Sequence, residues 1–236
     1  MALILNIETA TNICSVALGK NGKLIAIKES DKDKSHASLL TVFIDEILKD
    51  NNYKASDIDA VAVSKGPGSY TGLRIGVSVA KGICFGIEKP LIEISTLQSL
   101  ALSILSNDEY KTLNINKKQA WLCPMLDARR MEVYCAIFDY QNIIKRDISA
   151  DIINKESFKD ILTKREVVFF GNGSNKCKEI LINNNSYFID NINSSAKYMI
   201  NLAEELFNKN EFVDTAYFEP FYLKDFVATT PKKKVL

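Results

Sequence analysis

The sequence predicts an α/β protein of two lobes, each a mixed sheet flanked by helices, with the second lobe smaller. Three observations lead there. The chain has 236 residues, enough for two units, since typical domains run roughly 100–200 residues. Its apolar segments follow the order strand, strand, strand, helix, strand, helix, and that order returns after a polar stretch from Ser106 to Lys118. Each round opens on a strand that ends in an acid, Glu8 in the first and Asp127 in the second. The lobes are placed at residues 1–105 and 106–236, and two such units side by side leave a cleft with both acids near its mouth.

Leu3–Glu8 is a short continuous apolar run, the pattern of a strand buried on both faces. Thr9–Asn12 turns the chain, Ile13–Gly19 returns as a second strand, Asn21-Gly22 makes a hairpin turn, and Lys23–Glu29 is the third strand. Ser35 reads as a helix cap. Behind it Leu39, Leu40, Phe43, Ile44, Ile47 and Leu48 recur at helical spacing, with Asp45, Glu46, Lys49 and Asp50 opposite. Ile58–Val63 is a buried strand, and the glycine-rich turn Ser64–Gly72 leads into a second helix that runs to about Gly86. In the second round Trp121–Leu126, Glu132–Tyr140 and Ile143–Ile148 are strands, Glu156–Leu162 a weak helix and Val167–Phe170 a buried strand. Gly171–Ser174 leads into another helix, and Ser195–Phe207 is an amphipathic one.

Composition narrows the function. Apolar residues make up 47% and charged residues 25%, ordinary globular usage. The net charge of +1 excludes nucleic-acid binding by bulk charge alone, though not one surface of a larger assembly. The start of the chain has no basic segment or cleavage site, and no apolar run approaches the roughly 18 residues of a membrane span, so a cytoplasmic protein is expected. Cys14, Cys84, Cys123, Cys135 and Cys177 contain no Cys-x-x-Cys pair and read as buried reduced thiols.

Several residue groups can carry chemistry or contact. Glu8 and Asp127 are a possible acidic pair; no glycine-rich phosphate hairpin accompanies Glu8, which favours acids that hydrogen-bond turn amides over a magnesium-nucleotide site. Gly66–Gly72 has neither Walker nor Gly-x-Gly-x-x-Gly spacing and Pro67 removes an amide, so it is an architectural turn first and an anion site second. Gly171-Asn172-Gly173 reads the same way, more weakly. His36, the single histidine, sits in a helix first turn, where a cation is disfavoured; it is expected to be neutral and packed or at an interface. The second helix is apolar nearly all round, with Arg74, Ser78 and Lys81 on one narrow stripe and Gly72, Gly76 and Ala80 on another. It is either buried wholly in its own lobe or part of a helical contact face. The tail Thr229–Lys234 is a short basic run, usually a solvated end, with a weak nucleic-acid phosphate contact as the other reading.

Ile4–Ala10, Ser15–Leu18, Ser35-His36 before Leu39-Leu40, Ala60–Gly76 and Leu126–Tyr134 together resemble the TsaB (YeaZ) family, the small non-catalytic relatives of TsaD. The string Gly66-Pro67-Gly68-Ser69-Tyr70-Thr71-Gly72-Leu73-Arg74 is the specific part. Coverage is dense to about Leu100, thinner to Tyr140 and faint beyond, apart from Pro220–Lys224. The resemblance implies RNase-H-like lobes of the actin/Hsp70/sugar-kinase superfamily. It implies a non-catalytic scaffold and dimerisation subunit of the bacterial complex that makes N6-threonylcarbamoyladenosine next to the tRNA anticodon. The partners it implies are the TsaD transferase and the TsaE ATPase, with a homodimer when alone, tRNA only within the complex, no membrane and no cofactor. It places the contact on Leu40, Phe43, Ile44, Gly72, Leu73, Gly76, Val77, Ala80 and Ile83, and a vestigial nucleotide or magnesium position at Glu8, Thr9 and Asp127. One departure is that the first strand of the family usually ends in Asp, where this chain has Glu8.

The alternative is a degenerate ATP-dependent enzyme or metallopeptidase-like protein of the same superfamily. A TsaD-type metal site needs a His-x-x-x-His pair on one helix face. Laid onto that pattern, its places hold Thr96 and Leu100, and Leu100 cannot ligate a metal.

Overall fold

The computed structural model describes residues 2–32 and 36–224; Ser35 and the basic tail Thr229–Lys234 lie outside the described residues. Two five-stranded open sheets repeat one topology. In the first, β1 (Leu3–Glu8), β2 (Cys14–Lys20), β3 (Lys23–Ser30), β4 (Ala60–Gly66) and β5 (Leu91–Ser95) lie in the order β3-β2-β1-β4-β5. In the second, β6 (Trp121–Asp127), β7 (Glu132–Phe138), β8 (Ile144–Ile152), β9 (Val167–Phe170) and β10 (Ser186–Ile189) lie in the order β10-β9-β6-β7-β8. The opening strand of each round is central, antiparallel to its hairpin partner and parallel to the fourth strand. The continuous apolar run of β1 is buried at every residue, as a central strand covered on both faces must be. Asn21 and Gly22 take left-handed φ of 54° and 70°, the conformation that makes Asn-Gly a tight hairpin turn.

Helices α1 (His36–Asp50) and α2 (Tyr70–Ile87) cover one face of the first sheet. Leu40, Ile44 and Ile47 of α1 meet Leu5, Ile7, Val16, Val61, Val77 and Ala80 there. The two lobes exchange helices. Short α3 (Thr96–Ser103) continues from β5, capped by Ser95, yet its Leu97, Leu100 and Ala101 enter the core of the second sheet. In return α6 (Ile200–Asn208) and the turn before it lay Ala196, Met199, Ile200 and Ala203 against Ile4, Ala17, Ala62 and Ile94 of the first sheet. The linear division at 105/106 and the packing therefore differ by these two helices.

The second round is less regular than its sequence suggests. Between Ser106 and Lys118 lies the one-turn α4 (Asp108–Thr112), and Glu156–Leu162 reduces to the one-turn α5 (Lys159–Leu162). Gly171–Ser174 does not lead into a helix; only a 3-10 turn, Asn175–Cys177, follows, because the chain must return at once to β10. All five cysteines are buried and none is in a disulfide. Among the described residues no helix is long and apolar enough to cross a membrane.

Candidate functional site

A cleft of about 860 Å³ opens between the lobes. One wall is the turn after β1 together with the Pro67–Gly72 elbow; the other is the β6–β7 turn, from Asp127 to Arg129, with Asn172; Phe221–Lys224 close one side. The two acids do not meet at its mouth, contrary to the expectation. Asp127 lines the cleft, but Glu8 is fully buried beneath the elbow.

Glycines account for the difference. A Cβ at Gly68 would lie 2.4 Å from the Ala10 carbonyl oxygen, one at Gly72 2.1 Å from that of Thr9, and one at Gly76 2.2 Å from Thr9 Oγ1. Only backbone fits, so the elbow closes directly onto the Thr9-Ala10 turn. The Ser69 N–H donates to the Ala10 carbonyl at 2.7 Å and Thr9 Oγ1 donates to the Gly72 carbonyl at 2.8 Å. Underneath, Glu8 Oε1 accepts the Ala10 N–H at 2.6 Å, while Oε2 is buried without a partner among the described residues. Burial pushes the Glu8 carboxyl from its ordinary 4.5 up to about 7, against the opposing pull of the Ala10 N–H hydrogen bond and the lesser pull of the neighbouring Ser64 hydroxyl and Thr9 N–H. Asp127 accepts the Arg129 N–H at 3.0 Å and is ion-paired with Lys176. A magnesium-nucleotide does not fit this arrangement. One acid is sealed under backbone and the other is already neutralised by a lysine.

The same contacts correct the expected interface. Gly72, Gly76 and Ala80 face the sheet and the Thr9 turn, not a partner, and Leu40, Ile44, Leu73 and Val77 are buried in the lobe's own core. Phe43 and Ile83 are half-buried at its edge. The outward side of α2 carries a second small-residue row, Ser78, Gly82 and Gly86, beside Phe85, which is 86% exposed. A Cβ at Gly82 or Gly86 would meet nothing within 4 Å. On α1, Val42 is 44% exposed.

The polar stripe of α2 has a partner that the sequence did not reveal, the chain's own end. Lys81 Nζ donates to the carbonyls of Ala216 and Phe218, each at 3.0 Å. The Arg74 guanidinium lies 4.4 Å from the Tyr70 ring centroid and hydrogen-bonds the Tyr222 side chain, and the Tyr70 and Tyr222 rings are 4.8 Å apart. The Phe221 N–H donates to the Lys65 carbonyl at 2.7 Å, and Lys224 crosses to an ion pair with Glu132 on the second lobe. This strap explains why Pro220–Lys224 stands out in an otherwise irregular end.

His36 is nearly buried at the start of α1, with Nε2 3.2 Å from the Ile13 carbonyl oxygen. Thr96 and Leu100 are buried, Leu100 in the apolar core of the second sheet. Among the described residues no three His, Cys, Asp or Glu side chains gather as a metal site. Gly171 takes φ 99°, and Asn172 Oδ1 accepts the Asp127 N–H at 3.0 Å, so that loop buttresses the β6 end.

A family model described as TsaD, tRNA N6-adenosine threonylcarbamoyltransferase, matches residues 26–232. The chain is 30% identical over 231 residues to the tRNA threonylcarbamoyladenosine biosynthesis protein TsaB of Buchnera aphidicola subsp. Baizongia pistaciae, covering 94% of this chain and 98% of that protein. It is 29% identical over 232 residues to the protein of the same name in Escherichia coli, covering 95% and 96%. Among solved structures, a Pseudomonas aeruginosa protein described as similar to peptidase YEAZ superposes with a TM-score of 0.81 at 22% identity, covering 95% of this chain and 100% of that one.

Proposed function

From the membership of this chain in the TsaB family of tRNA threonylcarbamoyladenosine biosynthesis proteins, we propose that it is the non-catalytic scaffold and dimerisation subunit of the complex that modifies the adenosine next to the tRNA anticodon. It binds and supports the TsaD transferase. The end-to-end match to TsaB proteins carries this reading. The transfer step belongs to TsaD and not to this chain, because the places of the metal-binding histidine pair hold Thr96 and Leu100. When alone the chain pairs with itself; TsaE and tRNA meet it within the complex.

We put the contact on the outward side of the two-helix layer: Val42 and Phe43 of α1, and Ile83, Phe85 and the Ser78, Gly82, Gly86 row of α2. A large exposed aromatic next to glycines that have open space above them suits a helix crossing at close range. The test is Phe85→Asp and, separately, Gly82→Arg. Both variants are expected to keep the wild-type circular dichroism spectrum and melting transition. Each is expected to weaken TsaD binding by roughly 100-fold or more, since an uncompensated charge in a desolvated contact costs several kcal/mol. Threonylcarbamoylation by the reconstituted complex falls with it. Folded variants that bind TsaD like wild type would remove this face from the interface.

A further inference from the structure

We propose that the hairpin tip Arg129-Arg130, on the second-lobe lip of the cleft, is a phosphate contact by which this subunit itself grips the RNA; this rests on the tRNA-modification reading above. The tip joins β6 to β7 with the Ala128 N–H donating to the Glu132 carbonyl and the Glu132 N–H to that of Arg129, each at 3.1 Å. Closing it places two successive residues in the left-handed region, Arg129 at φ 71° and Arg130 at φ 46°. Glycine adopts that region freely and asparagine cheaply; arginine adopts it at a cost. The same chain uses Asn21-Gly22 where it needs this geometry in the first lobe. A tip shaped for stability alone has no use for two arginines, and strain held in place points to a role for the side chains.

Electrostatics point the same way. Both arginines are exposed, and among the described residues neither guanidinium meets a carboxylate or a hydrogen-bond acceptor. The acids that flank them are already taken. Asp127 is paired with Lys176 and Glu132 with Lys224. Lys176 Nζ also donates to the Glu132 carbonyl at 2.7 Å, which fixes that arrangement. Among the described residues the lip therefore presents two uncompensated guanidinium groups, on a chain whose net charge is only +1. Guanidinium is the side chain that binds phosphate in a two-pronged way. Arg129 shares the cleft with the rings of Tyr70, Tyr134 and Tyr222. Cations beside aromatic faces are how unpaired RNA is held, phosphate to the one and base to the other. An acidic protein surface would use the arginines but has no use for the rings.

The experiment uses the complex of this chain with TsaD and an unmodified transcript of a tRNA that carries the target adenosine next to its anticodon. The informative variant is Arg129→Asn with Arg130→Gly, which suits the left-handed turn and removes both charges. It is expected to melt at the wild-type temperature or above, to bind TsaD unchanged, and to lower the affinity of the complex for the tRNA by about tenfold or more. The plot of log affinity against log salt is expected to flatten by roughly 1.5–2. Arg129→Glu with Arg130→Glu is expected to go further in the same direction. Unchanged RNA affinity and salt slope would overturn the proposal. So would loss of TsaD binding at full RNA affinity, which would make the tip a protein contact. If the wild-type chain forms no complex with TsaD, the function proposed above fails and the tip falls with it.

Discussion

Gly76→Arg is expected to unfold the protein, whereas Gly82→Arg on the same helix is expected to fold normally. The Cβ of any residue at 76 would sit 2.2 Å from Thr9 Oγ1, and at 82 it would meet nothing within 4 Å. Overpacking alone costs roughly 1–3 kcal/mol, and a guanidinium buried without a partner adds several more. A loss above about 5 kcal/mol takes up most of the stability of an ordinary domain. Circular dichroism should show no cooperative transition for Gly76→Arg. Thr9→Ala removes the obstructing hydroxyl, so Gly76→Ala with Thr9→Ala should be more stable than the sum of the single changes implies. A folded Gly76→Arg with the wild-type transition would mean that α2 turns its other side to the sheet.

The second large effect lies in pH. Glu8 holds its proton up to about 7 in the folded protein, against an ordinary value of 4.5. The folded state binds the proton more tightly, so this stabilisation is full below the unfolded value. It is lost as pH rises through the window from 4.5 to about 7 and is absent above it. The swing is on the order of 3 kcal/mol. Glu8→Gln keeps the shape and removes the titration. Relative to wild type it should gain about 2.5 kcal/mol between pH 5 and pH 8 in urea unfolding. Taking the variant against wild type cancels every other titrating group. A stability difference that is the same at both pH values would show that Glu8 is already ionised in the folded state.

The backbone plan was legible because it rests on local signals. The apolar run of β1, the Asn21-Gly22 turn and the acid at each first-strand end all reappear in the structure. What was not legible depends on contacts between distant residues. Helix α2 has two small-residue rows, Gly72/Gly76/Ala80 and Ser78/Gly82/Gly86, and an almost wholly apolar circumference. Periodicity cannot choose between them; Thr9, far away in sequence, does so by donating to the Gly72 carbonyl. Glu8 and Asp127 end equivalent strands, yet one is sealed and the other open, because Gly68 and Gly72 close over the first while Lys176 reaches the second. The short β10 and the strap on Lys81 and Arg74 carry no periodic signature, since their partners are carbonyls and rings of remote segments.

The exchange of helices between the lobes sets an order of events during synthesis. All five strands of the first sheet have been made once Ser95 leaves the ribosome, but the face formed by Ile4, Ala17, Ala62 and Ile94 is covered only by Ala196, Met199, Ile200 and Ala203. At roughly 5–20 residues per second, that face waits on the order of 5–20 s for its cover. A nascent chain that has exposed only its first 105 or so residues carries a finished sheet with one apolar side bare, a substrate for chaperones and a seed for aggregation. The N-terminal half expressed by itself is expected to be insoluble, and to become soluble when a segment spanning 190–224 is supplied in trans.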